Sequence, residues 1–190
     1  IIWWQRNPVT GQFRCIDCYQ NENKTIQFFV PWMIGEVESG LPYPYAESDL
    51  FQIADHRGWA MGTHYGDPDV AKRNLVTGSS TRQELAKFGI HVQTRPDVNT
   101  FEARWQRTKL FMSQIEGINI QKCGGLDDAI SNARFPERLD DSQSTSDNTK
   151  PIHDWTSHFR TALEYMAVNC PRWLGPPKKA ERQKSAWEYL

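Results

Sequence analysis

Two β-type runs, at residues 1–5 and 12–19, enclose the turn segment Asn7-Pro8-Val9-Thr10-Gly11. Asn, Pro and Gly each favour chain reversal, so the sequence is expected to open as a β-hairpin. Helical and strand-like patterns then alternate. Residues 26–33 read as a strand or the start of a helix, because Pro31 fits neither interior well. Residues 47–57 carry Leu50, Phe51, Ile53 and Ala54 and stop at Gly58, which predicts a helix. A short strand at 63–66 runs into Asp67-Pro68-Asp69. Thr81-Arg82-Gln83-Glu84 reads as a capping box for a helix ending at Gly89, with a strand at 90–92. Phe101, Trp105, Met112 and Ile115 predict a helix over 99–116. Residues 118–120 suggest a strand and 126–132 a helix. The last helix is expected at 157–169, with Phe159, Ala162, Leu163 and Met166 inward and Pro171 as its stop. This order predicts an α/β class, a mixed sheet flanked by helices.

A chain of 190 residues with 38% hydrophobic and 12% aromatic content is long and apolar enough to bury a core. Residues 137–150 carry no strongly apolar side chain after Leu139, so they are expected to form a mobile linker or hairpin, and 171–190 a tail. The formal net charge of −1 gives no global pull towards nucleic acid or membrane, so any DNA contact must come from a local basic surface. No apolar run approaches a membrane span, and no secretory pattern opens the chain, so no membrane partner and no secretion are expected.

Four cysteines are too few for a disulfide scaffold. Cys15 and Cys18 form a C-x-x-C pair, but on a regular strand residues three apart face opposite ways. Cys123 and Cys170 stand alone. Free thiols in a reducing compartment are the expectation; a zinc-stabilised binding module is the alternative.

The residues suited to hydrolytic chemistry are acids near element ends. Asp67 closes a strand, where ligands of α/β sheets gather; an Asp before Pro also simply starts turns. Asp69 is a neighbouring ligand or a solvated loop residue. Asp154 precedes the last helix and serves as N-cap or as ligand. His158 follows by one turn, and Glu164 reads as a surface ion-pair partner. Asp17 reads as a sheet-surface residue. Lys72, Arg73 and Arg82 are the cations close in sequence to Asp67, and Arg104, Arg107 and Lys109 decorate a helix; a solvated charged face is the plain alternative.

The segment His153-Asp154-Trp155-Thr156-Ser157-His158 through Tyr165 resembles the closing block of the nuclease domain of phage large terminases, the DNA-packaging motors of tailed phages. Ser157, His158, Ala162, Leu163 and Tyr165 fit that block, and Thr161 stands where the family has Asp. The opening strands, the run His64-Tyr65-Gly66-Asp67-Pro68 with Thr77-Gly78 beyond it, the 99–116 helix and residues 123–130 resemble the family in the same order. The resemblance implies a ribonuclease H-like fold over residues 1–170. The family's first strand, with its first acid, would lie before residue 1. It implies a metal-dependent endonuclease nicking concatemeric DNA, with two Mg²⁺ or Mn²⁺ ions made useful by activating water and relieving charge on both oxygens. Carried over, the catalytic positions are Asp67, Asp154 and His158, the metal ligands Asp67, Asp69 and Asp154, and the DNA contacts Lys72, Arg73 and Arg82. Implied partners are double-stranded DNA, the portal protein, the small terminase subunit and an upstream ATPase domain, in the host cytoplasm during assembly. A non-cleaving domain of the same fold, binding DNA or the portal, is the alternative that Thr161 raises.

Overall fold

The computed structural model describes residues 1–37, 43–75, 77–98, 100–134, 152 and 154–170. The expected linker at 137–150, the tail at 171–190 and His153 lie outside the described residues. The chain divides into two compact units, one of Ile1–Tyr19 with Thr100–Leu190 and one of Gln20–Asn99. The class is α/β: small sheets, one of them mixed, with six α-helices among the described residues.

In the first unit the hairpin forms as expected, from β1 (Ile2–Arg6) and β2 (Phe13–Cys18). Asn7 shapes the reversal: its Oδ1 accepts from the Val9 and Thr10 amides at 2.9 and 3.2 Å, and Gly11 takes the left-handed φ of 76°. The pairing is antiparallel, Ile2 opposite Cys18 and Trp3 opposite Asp17, but Trp4 lies opposite Cys15. Ile16 is thus an extra residue in β2, a β-bulge.

Three helices pack with this sheet, α4 (Phe101–Met112), α5 (Ile120–Asn132) and α6 (Ser157–Asn169), and β5 (Ile115–Ile118) lies between α4 and α5 in sequence. β5 runs parallel to β2, giving the order β1-β2-β5. The helix expected over 99–116 therefore stops at Met112. Ile115 continues its apolar period yet belongs to the strand, since one apolar residue satisfies either spacing. The next helix starts at Ile120, six residues earlier than its apolar pattern suggests. Phe13, Phe111, Leu163 and Ala167 form one core cluster, with Trp4 edge-on to Phe111 at 5.1 Å between centroids. α6 matches its expected bounds, but its buried face is wider than the predicted stripe and includes Glu164, Tyr165 and Val168.

The second unit is built mainly of helices. Residues 26–33 resolve as α1 (Ile26–Ile34), closed by Gly35 at φ 79°. A Cβ on Gly35 would lie 2.7 Å from the His56 carbonyl oxygen, which fixes glycine where α1 ends against the close of α2 (Glu47–Asp55). Phe28, Trp32, Tyr43 and Tyr45 make an aromatic cluster, and buried His56 meets the Trp32 carbonyl through Nδ1 at 2.8 Å. α3 (Thr81–Ala86) is capped one residue earlier than expected: Ser80 accepts from the Gln83 amide at 3.2 Å, and the Gln83 side chain accepts from the Ser80 amide at 2.9 Å. Gln83 fills the third helical position, which makes Ser80 and not Thr81 the cap. A parallel pair, β3 (His64–Tyr65) and β4 (Val92–Gln93), completes the unit.

Candidate functional site

The bulge at Ile16 reverses the expectation for the cysteine pair. Alternation would send Cys15 and Cys18 to opposite faces, but one extra residue shifts the phase, and their sulfurs lie 3.6 Å apart. Cys123 joins them from α5, with the Cys15 Sγ 3.4 Å from its own. The three sulfurs all lie within 4.8 Å of one another. They are buried at 1%, 8% and 0% exposure for Cys15, Cys18 and Cys123, beside Leu126 and lined further by Ile2, Trp4, Ile118, Ile130 and Phe159.

Local structure aims Cys123 as well. Its φ of −123° and ψ of 21° break the helix, so the regular turns of α5 begin just after it. The broken turn sets its sulfur at a helix start, where amide dipoles favour an anion. Thiol donors from Cys15 and then Cys18 hold the Cys123 thiol down to about 4, against the opposing effect of burial. The same hydrogen bonds act oppositely on their donors: contact with Cys123 pushes both Cys15 and Cys18 up.

Asp17, expected on the sheet surface, is instead fully buried. Its Oδ1 accepts from the Cys18 amide at 2.7 Å and its Oδ2 lies 3.5 Å from Lys122 Nζ. Phe13, Cys15 and Asp17 share one phase of β2 and all three are buried, so the strand's own pattern carries Asp17 inward. Glu164 is an ion-pair partner, as expected, but a buried one: its Oε2 meets Arg104 Nε at 3.0 Å and its Oε1 meets Arg160 Nε at 3.5 Å. This joins α4 to α6 beneath the Arg104–Tyr165 contact.

The predicted acidic and basic positions fall in both units. In the second, Asp67 lies two residues past the carboxyl end of β3 and caps a short 3-10 helix (Pro68–Ala71), its Oδ1 accepting from the Asp69 amide at 2.8 Å. Gly66 allows β4 to approach: a Cβ there would lie 2.9 Å from Val92 Cγ1. Asp69 is exposed and salt-bridged to Lys72 at 2.8 Å, which raises the Lys72 ammonium. Arg73 pairs through its backbone with Ser80, and Arg82 Nη2 donates to Thr94 Oγ1 at 2.7 Å.

In the first unit, Asp154 sits two residues before the cap of α6. Its Oδ1 accepts from the Thr156 hydroxyl at 2.6 Å and amide at 3.0 Å, and these bonds hold its carboxyl below the usual range. His158 lies exposed on the first turn of α6, and Thr161 is half-buried one turn on. The helix cap itself is Thr156, so Asp154 braces the cap rather than being it.

Sequence reasoning left the thiol trio unassembled. The signal was present as a break in the β2 pattern, in which Phe13 and Cys15 keep one phase and Cys18 the other. Comparison with protein-family models, with curated proteins and with solved structures returns no match.

Proposed function

We propose that this chain is a metal-dependent DNA endonuclease domain of a viral DNA-packaging motor, with a ribonuclease H-like fold. The resemblance of its closing block to phage large terminases supplies the reading. The observation that carries it is the position of Asp67, a carboxylate just past the carboxyl end of β3 in a parallel pair, where α/β sheets place ligands. Hard carboxylate oxygens suit Mg²⁺ or Mn²⁺, and two such ions would activate water and stabilise both the attacking and the leaving oxygen. In this reading Asp67 and Asp69 are the metal-holding acids of the second unit, and Asp154 and His158 are the candidate ligand and catalytic imidazole of the first. Lys72, Arg73 and Arg82 contact the phosphate backbone. Partners are double-stranded DNA, the portal and the small terminase subunit, and an upstream ATPase domain drives translocation.

Plasmid nicking with added Mg²⁺ or Mn²⁺ is the test. Nicking is expected, and Asp67→Ala should lower it about 100-fold or more if the carboxylate carries a catalytic metal. Cutting unchanged in Asp67→Ala overturns the assignment. Thr161 favours a second reading, a domain of the same fold that grips DNA or the portal without cutting, because a hydroxyl replaces a carboxylate at the family's third acid. DNA binding without nicking at any metal concentration supports that alternative.

A further inference from the structure

We propose that Cys15, Cys18 and Cys123 form a three-sulfur site for zinc. The inference is independent of the nuclease reading, since it uses soft sulfur donors within the first unit and none of the acids assigned above. Two separate departures from regular structure bring the sulfurs together. The Ile16 bulge returns Cys18 to the side of Cys15, and the broken first turn of α5 delivers Cys123. A regular strand would turn Cys18 away.

The dimensions suit a tetrahedral ion. Zinc–sulfur bonds of about 2.3 Å put thiolates of one tetrahedral site about 3.8 Å apart. The observed separations of 3.4 and 3.6 Å need to open only slightly. Packing of small apolar thiols explains burial alone, but it does not require three sulfurs from two irregular segments to converge within 4.8 Å of one another. A divalent thiophilic cation bound among them does. Mg²⁺ is excluded by ligand type, because three sulfurs select zinc-like metals over oxygen-seeking ones. Water or a small donor completes the tetrahedral shell. Binding forms three zinc–sulfur bonds, and each thiol that is still protonated releases its proton to solvent as its bond forms.

The experiment is metal analysis of the whole chain purified under reducing conditions, followed by Co²⁺ titration of metal-free protein. About one zinc per chain is expected, with an intense sulfur-to-cobalt charge-transfer band, tetrahedral d–d bands and release of protons on binding. Cys18→Ser and Cys123→Ser should abolish the band, and Cys170→Ser should keep it. Absence of bound zinc together with a Co²⁺ spectrum lacking sulfur ligation overturns the proposal, and so does uptake of Cu⁺ in preference to zinc. The wild-type spectrum and proton release decide the matter even if the cysteine variants misfold. Loss of plasmid nicking leaves this site standing, and absence of zinc leaves the nuclease reading standing.

Discussion

The two units hide and display polar chemistry in opposite ways. The first takes polar groups inward: Asp17 and Glu164 lie beneath its surface, each answered by a neighbour, with three cysteine sulfurs packed together nearby. The second keeps its acids out on a turn, with Asp67 half-buried and Asp69 exposed, while its interior is filled by Phe28, Trp32, Val30 and Ile53. The difference follows from the architecture. Three strands and three long helices enclose enough volume to satisfy buried ions, whereas a two-residue strand pair can only present groups at its ends.

The sharpest break of that comparison is at Glu164. Glu164→Ala should destabilise the first unit by about 3–5 kcal/mol, because it strands two guanidinium groups at the α4–α6 contact. Chemical denaturation followed by tryptophan fluorescence measures it, and a loss under 1 kcal/mol would mean the ions are solvated. The glycines sharpen the contrast. Gly125→Ala places a methyl 3.0 Å from Phe159 Cε2 in the α5–α6 packing and should cost about 1–3 kcal/mol. Gly66→Ala meets Val92 Cγ1 at 2.9 Å, but β4 is short and half-buried and can yield, so the smaller loss is expected there. Equal losses would show that both units pack with the same rigidity.

The smallest effect is a pH dependence. Asp154 has a lowered folded-state pKa, so the stability it adds is present above the ordinary carboxylate range and is lost as pH falls through its folded value. Thermal melts of Asp154→Asn across acid pH should therefore be flatter than those of the parent chain in that window and offset above it. Parallel curves at every pH would disprove the Thr156 brace.

What the sequence disclosed depended on how long each pattern ran. The 157–169 helix was legible to the residue, because thirteen positions of one period outweigh local ambiguity. The hairpin was legible because Asn7 and Gly11 do work few residues can do. The run at 26–34 is apolar on all sides, so neither period stands out and only the structure decides for a helix. β5 was hidden within the tail of a helical spacing, and its strand character comes from pairing with β2, a partner a hundred residues away. The acids at 67, 69 and 154 were legible as candidates at element ends, and the structure adds their hydrogen bonds. The thiol trio was illegible under strict alternation, since the register shift that assembles it is a property of two strands read together.

That shift makes the length of β2 a coded quantity. With Ile16 deleted, the strand would read Cys-x-Cys, and plain alternation would put both sulfurs on one side without any irregularity. A chain needing only two converging thiols could use the shorter spelling. The inserted residue lengthens the span between the sulfurs, and Asp17 lies within that span, buried against Lys122. Single-residue gain or loss at this point therefore respells the cysteine spacing while leaving the sulfur pair facing together.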